Sequence, residues 1–125
     1  MISRSFTHKG AVVTLHRRTN GDLIDAELIV GLLMDGIDPS QKKAWTRRYL
    51  HARNYAATLV SITRVEGEMG FTIPSVEASD DEIKAAFEAW VADESGFYSA
   101  WINAMAAVNA PPGDVDTSPQ VSPNA

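Results

Sequence analysis

Glycine and proline are absent between Pro39 and Gly67, and this uninterrupted stretch constrains the fold more than any other feature of the sequence. Because these two residues are the strongest interrupters of helices, their absence permits one long helix, which we expect over residues 39–64. Asp38 and Pro39 supply a capping residue and a favoured first helical residue, and Gln41 can complete a capping box. Residues spaced by three and four would form its buried stripe: Trp45, Tyr49, Ala52, Ala56, Leu59, Val60 and Thr63.

The segment before this helix predicts a β-hairpin and a first, shorter helix. Residues 3–17 place strand-forming side chains on either side of Lys9-Gly10, which suits a tight turn. A hairpin alone is marginal in water, so it must pack on the helices or pair with the edge of a partner. Thr19-Asn20-Gly21-Asp22 is compatible with a turn or with a helix start. The length of the apolar stretch that follows favours a helix over residues 20–35.

Two further helices are predicted in the C-terminal half of the chain. The motif Ser79-Asp80-Asp81-Glu82 has the pattern of a capping box with acidic residues in the first turn, and it opens a helix over residues 80–92. A last helix follows over residues 95–108. Residues 110–125 contain four of the six prolines and no aromatic residue, which is typical of a disordered tail. We therefore predict a single globular domain over residues 1–109, of the α+β class and mostly helical.

Composition and motifs argue against catalysis and against cofactor binding. The 125-residue chain contains no cysteine, which excludes disulfides, thiol nucleophiles and thiolate metal sites. The three histidines are not spaced as metal ligands, and the sequence has no nucleophile elbow or phosphate-binding loop. No apolar run is long enough for a membrane span, and the N terminus lacks the apolar stretch of a signal peptide. We expect a soluble, intracellular protein that is not an enzyme and that holds no metal or cofactor.

Charge is distributed unevenly along the chain, although the net charge is only −5. Residues 1–64 carry a balance of +5 and residues 65–125 a balance of −10. The basic residues cluster over residues 42–53 together with Trp45 and Tyr49, and such a pattern can serve a small nucleic-acid-binding regulator. The pI of about 5 and the use of both aromatic residues in the predicted core weigh against it. A surface for an acidic partner, or for the chain's own acidic half, is a further interpretation.

The C-terminal third carries a pattern that is shared with a known family of proteins. A Trp-bearing helix, Ala86-Phe87-Glu88-Ala89-Trp90, is followed by Trp101, Ala104, Val108-Asn109, Pro111, Asp114 and Pro119. The strand pair around Lys9-Gly10, the segment Asp22-Leu23-Ile24-Asp25-Ala26-Glu27 and the later Val65-Glu66-Gly67 agree with the same family. Over residues 5–119 the chain resembles the small tail assembly chaperones of long-tailed bacteriophages.

This resemblance implies a role that involves binding and no catalysis. Such chaperones bind the tape measure protein, keep it soluble and help the tail tube subunits to polymerise around it. They act in the cytoplasm of the host cell and are absent from the mature virion. The expected partners are the tape measure protein and the tail tube protein, with no membrane or nucleic acid, and self-association is open. A structural or connector protein of the phage tail is the alternative within the same setting.

A chaperone that holds its client needs exposed apolar surface, and the helix over residues 20–35 has more apolar residues than one buried face requires. A helical client could lie in a groove against that face, and the free edge of the hairpin is a second candidate. Acidic residues near the start of the third helix would steer basic segments of the client. The predicted client-binding residues are Ile24, Leu28, Leu32, Glu77, Asp80 and Asp81.

Overall fold

The computed structural model describes residues 3–109, and the predicted tail over residues 110–125 lies outside them. Within this range the elements are β1 (Ser3–His8), β2 (Ala11–His16), α1 (Asn20–Met34), α2 (Lys42–Ser61), β3 (Ile62–Glu66), α3 (Asp80–Val91) and α4 (Phe97–Asn109). A short N-terminal hairpin followed by four helices is the α+β arrangement that was predicted.

The N-terminal strands form the predicted hairpin, and a third strand extends it into a sheet. Lys9 (φ 50°) and Gly10 (φ 85°) adopt left-handed conformations at the turn, a region that glycine enters without steric cost. β1 and β2 pair antiparallel in a register that places Phe6 opposite Val13. β3 pairs antiparallel with the other edge of β2, so β2 is the central strand. The free edge of the hairpin is therefore confined to β1.

The predicted end of the long helix at residue 64 is wrong, because α2 ends at Ser61 and the chain continues directly as β3. Ile62 and Val65 are β-branched and lie opposite apolar residues of β2. Pairing with β2 satisfies backbone groups along a whole strand, and this tertiary interaction outweighs the helical propensity of the segment. Thr63, which was predicted to lie in the buried stripe of the helix, is an exposed residue of β3.

The predicted start of this helix at residue 39 is also wrong. Asp38 accepts a hydrogen bond from the Ser40 N–H at 2.9 Å and forms a tight turn, and the helix begins only at Lys42. Its N-cap residue, Gln41, makes no side-chain capping bond. An Asp side chain that accepts a hydrogen bond from the backbone two residues ahead stabilises a turn. Asp38 therefore stabilises the loop before the helix and does not cap the helix itself.

The other predicted helix boundaries agree with the structure to within two residues. Thr19 caps α1, and its side chain and that of Asp22 form a complete capping box. Ser79 and Glu82 form the equivalent box at the start of α3. These local signals work because each side chain bonds a backbone group within its own turn, independently of the rest of the fold.

The hydrophobic core lies between the sheet and the four helices. Phe97 of α4 packs against Phe6 of β1 and Phe71 of the β3–α3 connector, with ring centroids 5.7 and 5.3 Å away. On the other side of the core, Tyr55 of α2 contacts Phe87 of α3 at 5.2 Å. The buried core residues of the strands and of α1 and α2 are Ala11, Val13, Leu15, Ile29, Leu33, Ala52, Tyr55, Ala56, Leu59 and Val60.

Trp45 and Tyr49, which were predicted to lie in the buried stripe of the long helix, are only half-buried. Their rings stack on each other with centroids 5.3 Å apart and planes inclined by 5°. The first fully buried residue of α2 is Ala52. The first turns of α2 therefore extend past the core, where the two aromatic rings cover each other.

Candidate protein-binding surface

One side of α1 presents apolar side chains to solvent. Ile24 and Leu28, one turn apart, expose 62% and 67% of their surface, whereas Ile29 and Leu33 on the other side are buried in the core. Gly31 follows Leu28 on the exposed side, where an added Cβ would meet no atom within 4 Å. We call Ile24 and Leu28 the apolar ridge. The helix is thus apolar on two sides, and the fold needs only one of them.

Beside the apolar ridge, a groove of about 360 Å³ lies between α1 and the start of α3. Leu28 and Leu32 line it from α1, Ile83 from α3, and Val76 and Ala78 from the connector. Leu32 is half-buried and packs against the core, so it belongs to the fold as well as to the groove. The groove therefore has an apolar floor, with the exposed Leu28 at its edge.

Two carboxylates, Asp25 of α1 and Asp80 of α3, also line this groove. Within residues 3–109 the observed ion pairs use His16, Arg48 and Arg64, and neither groove carboxylate takes part in one. An apolar floor edged by carboxylates that form no ion pair with any described residue suits an amphipathic helix whose apolar stripe is flanked by Lys or Arg.

The structure brings together three of the six residues that were predicted to bind a client. Leu28, Leu32 and Asp80 line the same groove, and Ile24 extends the apolar ridge by one turn. Glu77 and Asp81 are exposed and do not contribute to the lining of this groove.

Five other residues that line the groove were not predicted to bind a client, namely Asp25, Ile29, Val76, Ala78 and Ile83. A signal for Asp25 was present, because it precedes Leu28 by three residues and the two share one side of a helix. No comparable signal exists for Val76 and Ala78, which lie in a connector and meet α1 only through a contact that is distant along the chain.

The basic half of α2 divides into residues that serve the fold and residues that face solvent. Arg48 donates to the Leu33 carbonyl at 2.7 Å and to the Glu88 carboxylate at 3.3 Å, and it covers the Phe87 ring at 5.2 Å. The guanidinium of Arg53 lies 5.8 Å above the Tyr49 ring. These two arginines are therefore used within the molecule.

Four cations of α2 are exposed, namely Lys42, Lys43, Arg47 and Arg53. Among the described residues none of them forms an ion pair. The predicted basic surface is thus smaller than its sequence suggests, because Arg48 is engaged with Glu88 and Phe87 of α3.

His16, at the end of β2, joins three elements and lines a second cavity of about 370 Å³. Its Nε2 lies 3.0 Å from Asp22 Oδ2 on α1, and its Nδ1 lies 2.8 Å from Thr63 Oγ1 on β3. Burial favours the neutral carboxyl, but hydrogen bonds from the Thr19 backbone and from His16 outweigh it and hold the pKa of Asp22 below its usual value.

Because the Asp22 carboxylate can only accept, Nε2 of His16 donates to it, and Nδ1 of the neutral ring accepts from the Thr63 hydroxyl. A hydroxyl, an imidazole and a carboxylate in this order are the parts of a general-base site. Here they tie β2, α1 and β3 together, and Asp22 also completes the capping box of α1. Across residues 3–109, no group of three or more His, Asp or Glu is placed to hold a metal ion.

Comparison of the chain with protein-family models, with curated proteins and with solved structures finds no match. Over the part of the chain that the structure describes, no helix is both long and apolar enough to cross a membrane.

Proposed function

We propose that this chain is a tail assembly chaperone of a long-tailed bacteriophage, which holds a helical segment of the tape measure protein in the groove between α1 and α3. The observation that carries the proposal is the exposed apolar ridge of Ile24 and Leu28 beside a groove edged by carboxylates. Binding of this kind buries apolar surface and keeps an unassembled partner in solution by mass action. The identity of the client comes from the resemblance over residues 5–119.

The apolar ridge can supply a useful part of the binding free energy. Burying a leucine side chain completely contributes about 2 kcal/mol. Leu28 exposes 67% of its surface, so a client that covers it would gain about 1–1.5 kcal/mol from this residue and a similar amount from Ile24. Basic residues of the client beside Asp25 and Asp80 would set its orientation and speed its association.

Leu28→Asp tests this proposal directly. The substitution removes the apolar contact and adds a third carboxylate to the groove, so we expect retention of the tape measure protein to fall by roughly tenfold or more. Leu28 is exposed, so the free energy of unfolding should change by only about 0.5–1 kcal/mol. The measurement is co-expression with the tape measure protein of the same phage, followed by quantification of the soluble client and its capture on the tagged chaperone.

Ile102→Asp provides the matched control, because Ile102 is a 45% exposed aliphatic residue on α4, away from the groove. This variant should retain the client as the wild type does. Leu32→Asp is a poorer test because Leu32 also packs against the core. A folded Leu28→Asp variant that keeps the tape measure protein soluble as well as the control does would overturn the proposal.

A further inference from the structure

The outward side of α2 carries two cations followed by an apolar residue. Lys43, Arg47 and Leu50 are spaced by four and three residues, so they lie on one side of the helix. Lys43 and Arg47 are exposed, and Leu50 exposes 43% of its surface. We call these three residues the α2 stripe. No acidic residue occurs between Lys42 and Arg53, so nothing on this helical segment offsets the charge of the stripe.

The charges of the α2 stripe are opposite to those of the α1–α3 groove. The groove has an apolar floor with Leu28 at its edge and two carboxylates, Asp25 and Asp80, that have no ion-pair partner within residues 3–109. A helix that presents Leu50 one turn after Arg47 and two turns after Lys43 would place a leucine against Leu28 and positive charges near the two carboxylates.

The two surfaces of one molecule do not meet. No residue of α2 lines the groove, and the residues of the α2 stripe face solvent. Arg48 of α2 does form an ion pair within the fold, with Glu88 of α3, but it is not part of the α2 stripe. Contact between the stripe and the groove therefore requires a second copy of the chain.

We propose that the α2 stripe of one copy docks in the α1–α3 groove of another copy, so that the protein self-associates and covers its own client-binding surface. The contact places Leu50 of one copy against Leu28 of the other. It pairs Lys43 and Arg47 with Asp25 and Asp80 of the other copy. The inference rests on the groove that the proposed function uses, and its consequence is that client and second copy compete for one site.

Sedimentation equilibrium of the free, full chain at concentrations up to about 0.5 mM tests this contact, because small interfaces give weak association. We expect concentration-dependent association at about 50 mM salt that weakens at about 500 mM, where exposed charges are largely screened. Arg47→Glu and Asp80→Arg should each lower the association constant by roughly tenfold or more, because each creates a like-charge contact.

The double variant Arg47→Glu with Asp80→Arg restores opposite charges across the contact, so it should recover most of the association. Arg4→Glu and Glu94→Arg, which change exposed charges elsewhere, are the matched controls and should associate as the wild type does. Failure of the double variant to recover, or equal loss in the controls, would overturn this contact.

A chain that stays monomeric at low salt would also overturn it. If in addition the α2 stripe bound a single-stranded oligonucleotide and Arg47→Glu abolished that binding, the stripe would be a nucleic-acid surface instead. These experiments contain no client, so their failure leaves the proposed function standing. Conversely, a folded Leu28→Asp variant that keeps its client while losing self-association would refute the proposed function alone.

Discussion

Replacement of Gly31 by alanine should stabilise the fold, and the same replacement at Gly36 should destabilise it. Gly31 lies inside α1, where alanine is favoured over glycine by about 0.5–1 kcal/mol because it loses less backbone entropy on folding. A Cβ at either position meets no atom within 4 Å, so no clash complicates the comparison. Gly36, however, has a φ of +80°, and alanine costs about 1–2 kcal/mol in that region.

The positive φ of Gly36 is set by the turn that ends α1. Asp35 has φ −60° and ψ 130°, and the Ile37 N–H donates to the Met34 carbonyl at 3.1 Å. This is the geometry of a type II turn, which requires a positive φ at its third residue. Gly36→Ala therefore cannot relax to a negative φ without losing the turn that leads towards α2.

Thermal unfolding followed by far-ultraviolet circular dichroism would measure both variants. A change of about 1 kcal/mol shifts the Tm of a domain of about 100 residues by roughly 4–8 °C. We therefore expect the Tm of Gly31→Ala to rise by about 2–8 °C and that of Gly36→Ala to fall by about 4–16 °C. Shifts in the same direction would refute the reasoning, because backbone conformation is the property that distinguishes the two sites.

Two further predictions concern buried polar groups. The Tyr55 hydroxyl is buried without a hydrogen-bond partner among the described residues, so Tyr55→Phe should raise the free energy of unfolding in urea by about 1 kcal/mol. Burial also raises the pKa of Tyr55 to about 12. The unfolded chain therefore loses this proton near pH 10 while the folded chain keeps it, and stability should fall with rising pH by up to about 1.4 kcal/mol per unit. Tyr55→Phe should show a shallower decline, and an equal slope would contradict the assignment. Ser61→Ala should cost about 1–3 kcal/mol in urea, because it leaves the buried Trp101 Nε1–H without the Ser61 Oγ that lies 2.7 Å away. A loss no larger than that of the exposed Ser99→Ala would count against this bond.

Elements whose signals are local were predictable from the sequence. Thr19 and Ser79 each bond a backbone group of their own turn, and Lys9-Gly10 provides the left-handed residues that a tight hairpin needs. These interactions lie within single turns of the chain, so the position of the hairpin turn and the starts of α1 and α3 were predictable from the amino-acid sequence. The apolar excess of α1 was likewise visible in the sequence as residues beyond the needs of one buried face.

Where local signals compete with contacts to residues that are distant along the chain, the tertiary structure decided which conformation forms. Residues 62–66 could continue a helix, but they pair with β2, because the edge of a strand offers hydrogen bonds and apolar contacts that no local pattern reports. The groove also depends on contacts between segments that are distant along the chain. Leu28 and Asp80 are far apart in the chain and line one surface only because α1 and α3 both pack against α2. The sequence by itself determined which segments are helical and apolar, and the packing of those segments determined which of their side chains meet and which remain exposed to a partner.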